Sequence, residues 1–204
     1  GTEDAIRPCV GSSYCLYKKA TCIHNAATGN ELKIPHTVTP AETPGRVVVV
    51  GGGIAGLEAA RVAALRGHAV VVLEAASQLG GQLRLAARAP ERANMIGIVD
   101  WRISELARLG VEVRTNCYAD VQDVLAENPD TVFVATGGLP DLGQIEGADF
   151  CQNTWDFLSG AVPPAAEVLI HDGTGRAPAP SCALLARKSG SNVTFATSDG
   201  VVGQ

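Results

Sequence analysis

A chain of 204 residues with 46% hydrophobic content is long enough for one large domain, or a domain and a half, with a substantial core. A net charge of -5 argues against a nucleic-acid partner, and no run is long and apolar enough to cross a bilayer as a helix. Six cysteines without a secretory h-region predict reduced thiols or metal ligands rather than a disulfide framework, and a cytoplasmic setting.

Residues 1–43 are irregular, carry Cys9, Cys15 and Cys22, and run into a Pro-rich linker at 39–44. Residues 44–162 read as a first dinucleotide-type domain. Four consecutive valines after Arg46 predict a strand buried on both faces, the pattern of a parallel sheet. Gly51-x-Gly53-x-x-Gly56 follows at once, then a helix to about residue 66 and a valine-rich strand over 69–73 that ends on Glu74. Further along, 98–109 predicts a helix with Val99, Ile103 and Leu106 on one face, 111–115 a strand, 121–127 a helical turn, and 131–135 a strand that closes in Thr136-Gly137-Gly138. Residues 163–204 restart the pattern with a strand over 167–172, a turn at Gly173 to Gly175, a helix over 181–189 and a strand over 192–197. The fold class is α/β: a Rossmann-like FAD/NAD(P)-binding parallel sheet domain followed by the start of a second Rossmann-like unit. One crossover cannot bury both faces of that second sheet, so further polypeptide is expected in the native protein.

The first glycine run carries the chemistry. Gly51 permits the tight turn, Gly53 lets backbone approach a pyrophosphate, and Gly56 allows helix to pack closely on strand. Ile54 and Ala55 open the helix, whose unpaired N–H groups and dipole favour phosphate charge. Glu74, with Ala75 beside it, stands where a carboxylate accepts hydrogen bonds from an adenosine ribose and repels a 2′-phosphate, which disfavours NADP. A purely structural glycine turn is the plain alternative, and the order strand, turn, helix, strand, acid weighs against it.

Leu79-Gly80-Gly81-Gln82 and Ala135-Thr136-Gly137-Gly138 together resemble the flavoproteins with two dinucleotide-binding domains. That resemblance implies that the first unit holds FAD or its ADP half. It places Gly80, Gly81 and Gln82 near the flavin or pyrophosphate, and has Ala135, Thr136 and Gly137 close over the cofactor. In the second unit, Gly173-x-Gly175-x-x-Pro178 has proline in the third glycine place. Because 177–180 carries two prolines, no helix is expected before Pro180, and a scaffold that has lost its NAD(P) is favoured over a working NAD(P) site.

Ile6-Arg-Pro-Cys9-Val-Gly-Ser12-Ser-Tyr-Cys15, Cys22-Ile-His-Asn25 and Thr28-Gly29-x-Glu31 resemble the iron–sulfur segment of the trimethylamine dehydrogenase and 2,4-dienoyl-CoA reductase family. The resemblance implies an FMN-binding TIM barrel, then a [4Fe-4S] segment, then the dinucleotide-binding pair. It makes Cys9, Cys15 and Cys22 metal ligands, with Ser12 in the place of a second cysteine and a shortened interval to Cys22. A three-cysteine cluster with Ser12 or His24 nearby, a lost cluster and a zinc site all stay open, with His24 read as an ordinary loop residue. Ser12, the Cys22-Ile-His-Asn25 run and Asp100-Trp101 are most similar to the branch that demethylates N-methylated amino acids.

On that reading the partners are a small N-methylated amine and an electron acceptor, and a homo-oligomer is compatible with it. The alternatives are an NAD(P)H-dependent enoate or dienoyl-CoA reductase and a non-catalytic ADP- or FAD-binding module. No catalytic acid or base can be named on this chain. Cys117, Cys151 and Cys182 are expected to be buried small hydrophobes, and Trp101 and Trp155 packing residues.

Overall fold

The computed structural model describes residues 3, 6–16, 20–142 and 146–202. The chain divides into two compact units, one of 1–83 with 95–137 and one of 84–94 with 138–204. Residues 1–43 therefore share a unit with the first sheet, whereas 138–162, expected with that sheet, group with the second strand pair.

In the first unit, β1 (Arg46–Val50), α1 (Ile54–Leu65), β2 (Ala69–Leu73), α2 (Gln82–Ala86, whose first two residues belong to this unit), α3 (Ile96–Arg108), β3 (Glu112–Arg114), α4 (Val121–Ala126) and β4 (Thr131–Val134) follow one another. The four strands are parallel in the order β3-β2-β1-β4. The valine run is buried because helices cover both faces of the sheet. Val47, Val49, Val70 and Val72 pack with Leu57 and Ala60 of α1 and Val99 and Leu106 of α3. Val48, Val71 and Leu73 point the other way, toward Cys117, Ala119 and Val124. Each such side chain contributes roughly 1.5–3 kcal/mol of burial, which is why the period-2 alternation of a half-exposed strand is missing from the sequence.

Local signals set the helix ends. Asp120 caps α4 by accepting from the backbone N–H groups of Gln122 and Asp123, while Asp123 accepts in return from the N–H of Asp120. Leucine, valine and isoleucine on one side of α3 are buried together with Trp101, Arg102 and Glu105. β4 forms the open edge of the sheet, and Val132, Phe133 and Val134 are all exposed there.

In the second unit, α5 (Thr154–Ser159), β5 (Glu167–Asp172), α6 (Pro178–Lys188) and β6 (Asn192–Thr197) enclose a small core of Leu158, Ile170, Ala179 and Cys182. β5 and β6 pair in parallel. Leu158 in that core explains why the segment before β5 belongs to this unit.

α6 corrects one expectation, because it begins at Pro178 rather than beyond Pro180. The first intrahelical bond runs from the Ser181 N–H to the Ala177 carbonyl at 3.0 Å. First-turn residues have no acceptor for their N–H groups, so the missing donors of Pro178 and Pro180 cost no hydrogen bond. The cysteine expectation also divides. Cys182 is buried, and desolvation pushes its thiol up to about 11. Cys117 is half-buried, but Cys151 is exposed, following a single 3-10 turn at Ala148–Phe150 that covers nothing around it. Trp101 is buried and Trp155 half-buried. Among the described residues, no helix is long and apolar enough to cross a membrane.

Candidate functional site

The connections from β1 to β2 and β3 build the sheet in one direction, and β4 adds on the other side of β1. The crevice at the carboxyl ends of β1 and β4 is therefore a topological switch point, where open α/β sheets hold ligands. The Gly51 N–H donates to the Leu73 carbonyl and the Ala135 N–H to the Val50 carbonyl, both at 2.8 Å, so the glycine turn and the Ala135 strand end leave the sheet together.

Each predicted glycine has an observed reason. Gly51 has φ +105°, and a Cβ there would run into the Ala135 carbonyl. A Cβ on Gly56 would overlap the Gly51 carbonyl oxygen and crowd Val49, so only glycine lets α1 sit this close to β1. At Gly53, by contrast, a Cβ would meet nothing within 4 Å. This is open space in front of the α1 N-terminus, and Gly53 caps that helix without any side-chain acceptor. The first intrahelical bond of α1 runs from the Leu57 N–H to the Gly53 carbonyl. The N–H groups of Ile54, Ala55 and Gly56 precede it and point toward the crevice as an anion cradle.

Glu74 closes the far wall. Its Oε2 accepts from the Gly52 N–H at 2.5 Å and its Oε1 from the Ala76 N–H at 2.7 Å, with Ala75 exposed beside it. Two backbone donors thus fix the carboxylate and leave lone pairs for ribose hydroxyls. The Gly80 N–H donates to the Gly52 carbonyl at 2.8 Å, and Gly53 and Gly80 form a parallel bridge. A Cβ on Gly81 would approach Gly53 Cα at 3.2 Å, and one on Gly137 would lie 3.5 Å from Gln82 Nε2. The structure therefore gathers Gly51, Gly53, Gly56, Glu74, Gly80, Gly81, Gln82, Ala135 and Gly137 around one crevice. Thr136 is exposed at its lip. Backbone donors, a cleared approach and a fixed carboxylate fit the pyrophosphate and ribose of a dinucleotide.

The glycine turn of the second unit is built differently. Asp172 is buried at the end of β5, and its Oδ1 accepts from the Thr174 N–H at 3.1 Å, the Thr174 hydroxyl at 3.2 Å and the Gly175 N–H at 3.0 Å. The donors that a phosphate would use are engaged by the chain's own carboxylate.

The cysteine segment does not present a ligand set. Cys9 and Cys15 are exposed, and so is Ser12. Cys22 is half-buried, with its Sγ accepting from the His24 N–H at 3.4 Å. No three Cys, His, Asp or Glu side chains converge on a metal position among the described residues. A cluster needs several thiolates around one point, and the described residues do not gather them at one.

What holds the segment is a charged cluster that sequence reasoning missed. Arg7 lies 4.4 Å over the Trp101 ring, and His24 meets that ring edge-on at 5.3 Å. His24 is buried, with Nδ1 3.0 Å from the Pro8 carbonyl. Glu58 receives Arg61 at 2.6 Å, Arg102 at 3.0 Å and Arg7 at 3.8 Å. Burial alone would raise the Glu58 carboxyl, but the hydrogen bond and charge of Arg61, with the charges of Arg102 and Arg7, outweigh it and hold the group below the usual carboxylate range. Burial and the backbone contact act oppositely on His24, and burial prevails, lowering its pKa. The only local sequence signal was the i,i+3 pair Glu58 and Arg61. Arg7 and Arg102 join it through tertiary contacts.

The switch-point crevice and its glycine cradle define a dinucleotide-binding Rossmann-like unit, and residues 49–101 match the family of NAD(P)-binding Rossmann-like domains. The chain is 49% identical over 204 residues to the multifunctional alkene reductase/demethylase OYE of Caballeronia cordobensis, covering 100% of this chain and 30% of that protein. It is 47% identical over 203 residues to a probable N-methylproline demethylase of Rhizobium meliloti, covering 97% of this chain and 30% of the relative. The N,N-dimethylglycine/sarcosine dehydrogenase of Chromohalobacter salexigens is 44% identical over 211 residues, covering 96% of this chain and 30% of the relative.

Among solved structures, 6-hydroxypseudooxynicotine amine oxidase from Pseudomonas geniculata superposes with a TM-score of 0.88 at 29% identity, over 98% of this chain and 33% of that one. A 2-naphthoyl-CoA reductase complex gives 0.85 at 29% identity, over 94% and 30%. The chain aligns along nearly its whole length with these relatives, and it spans about 30% of the length of the curated relatives it matches.

Proposed function

We propose that this chain is the dinucleotide-binding portion of a flavin oxidoreductase that oxidatively demethylates an N-methylated amine or amino acid. The observation that carries the binding role is the crevice itself: open space at Gly53, at the head of α1 where the first-turn N–H groups have no intrahelical acceptor, with Glu74 fixed by Gly52 and Ala76. Its ligand is FAD or ADP, with the pyrophosphate at α1 and the adenosine ribose at Glu74. The demethylase reading draws on the likeness to proteins named for N-methylproline and for N,N-dimethylglycine or sarcosine. When bound, a flavin would supply the hydride acceptor for oxidation of the N-methyl carbon, and water would then release the amine and formaldehyde. The residues of this chain bind, orient and exclude water; none is assigned a proton transfer.

A second reading, alkene reduction driven by NAD(P)H, draws on the name of the 49% identical relative. Asp172 favours the demethylase, because its hold on Thr174 and Gly175 leaves the second unit poorly suited to a nicotinamide dinucleotide. The test has two stages. Calorimetry on this chain should show ADP binding that is lost in Gly53→Val, whose side chain would fill the open approach. In the full-length enzyme, N-methylproline or N,N-dimethylglycine should reduce the flavin faster than NADH does. Rapid reduction by NADH coupled to an enoate, with no reduction by either amine, would replace the demethylase with the reductase.

A further inference from the structure

A second cavity, of about 360 Å³, lies in the first unit between α1 and the segment at 25–39. It is separate in composition from the dinucleotide crevice: none of the glycines, Glu74, Gln82 or the Ala135 strand end lines it. Its described lining carries four cations, Arg7, Lys33, Arg61 and Arg66, against the single carboxylate of Glu58. That carboxylate is already committed. Arg61 grips it through Nε at 3.2 Å and a terminal nitrogen at 2.6 Å, and Arg102 approaches from behind at 3.0 Å. Arg7 reaches it only at 3.8 Å, and Lys33 and Arg66 have no carboxylate partner among the described residues. Arg61 is a built feature of the wall, with its side chain only 8% exposed. The rest of the wall mixes apolar Ala27, Ile34, Pro35, Val38 and Val62 with polar Asn25, His36 and Thr39.

We propose that this cavity is a binding site for a small organic anion, a carboxylate or phosphate ester with an apolar body. The buried Arg61 already has its carboxylate in Glu58, whereas the exposed Lys33 and Arg66 leave an excess of positive charge at the rim of a partly closed space. An anionic head at the mouth would meet Lys33 and Arg66. An attached apolar group would lie against Ile34, Pro35 and Val62. The volume falls within the range of small-molecule sites, and the mix of apolar wall with a few converging charges is their usual make-up. Lys33, Ile34, Pro35 and His36 of the lining are exposed, so the ligand enters without unfolding the segment. This inference stands apart from the demethylase reading, because it uses no residue of the dinucleotide crevice.

Trp101 reports on the site, since Arg7 lies both on its ring and in the cavity wall. Trp155 is the only other tryptophan, so a Trp155→Phe background isolates the signal. Benzoate, phenyl phosphate and inorganic phosphate are titrated at constant ionic strength, with chloride as the control. The expected result is a saturable change in Trp101 emission with benzoate or phenyl phosphate, at a dissociation constant below about 1 mM. The rim variant Lys33→Gln/Arg66→Gln should weaken it by at least about tenfold, since charge-assisted bonds are the strong ones, without moving the unfolding midpoint. Gly53→Ala, whose Cβ meets nothing, should leave it unchanged. Inorganic phosphate binding alone would make the site an oxyanion site without its apolar half and overturn the organic-ligand assignment. No saturation by about 10 mM, equal binding in the rim variant, or loss in Gly53→Ala would overturn the site altogether.

Discussion

Glu74 is the residue at which the dinucleotide reading is most exposed to refutation. Replacing it with alanine has two consequences that the structure separates. The Gly52 N–H is buried and donates to Glu74 Oε2 at 2.5 Å, so truncation leaves that donor without an acceptor. An unsatisfied buried donor costs about 1–3 kcal/mol, which should appear as a lower urea midpoint with an unchanged slope. The Ala76 N–H is exposed and returns to water at little cost. The second consequence falls on the ligand. Hydrogen bonds from ribose hydroxyls to an ionised carboxylate are worth about 1.5–3 kcal/mol, so Glu74→Ala should weaken ADP by about 10- to 150-fold. Glu74→Gln keeps an acceptor for Gly52 and removes only the charge, so its stability should lie near the parent while ADP still weakens. Removing the carboxylate also removes its repulsion of a 2′-phosphate, so discrimination between ADP and its 2′-phosphorylated form should narrow. Calorimetry at 25 °C on the three proteins, beside urea unfolding, resolves both effects. Unchanged ADP affinity in Glu74→Ala would refute the placement of the ribose at this carboxylate.

Three further outcomes follow from the charged cluster and the cysteines. Glu58→Gln should destabilise the first unit by about 2–3 kcal/mol in urea unfolding, below the 3–5 typical of a fully buried pair because Glu58 is 26% exposed. Its folded carboxyl is held low, so the parent's advantage is present above the ordinary carboxylate range and fades as pH falls through the folded value; a gap that persists in strong acid would contradict this. The His24 imidazole is held below its ordinary value by burial, so the unfolded chain binds the extra proton first. Stability is therefore full above about pH 6.5 and declines as pH drops, a slope that His24→Gln should flatten. Cys9→Ser and Cys15→Ser should each change stability by less than about 0.5 kcal/mol, because both side chains are exposed. A loss of visible absorbance and of iron in either variant would show that the thiols hold a cluster.

The parallel sheet, the glycine turn and the acid at the end of β2 were legible in the chain because their causes are local. A run of valines means burial on both faces, and a glycine at each of three fixed offsets means a turn, an approach and a close helix. The Cys22 neighbourhood shows the limit of such reading: motif likeness names three thiols as ligands, but whether thiols converge is a matter of folded geometry, and the packing of His24 on Trp101 left no mark in the local sequence. The proline pair before α6 misled for a related reason. Whether a missing N–H costs anything depends on which carbonyl lies four residues back, and at a first turn there is none to serve. Cys151 escaped burial because its neighbours, not its own chemistry, decide what covers it. The sequence by itself thus determined the strands and the fingerprint. Only tertiary structure decided that Arg7, Glu58, Arg61 and Arg102 meet, since residues far apart along a chain can share one charge balance only after helices α1 and α3 have packed.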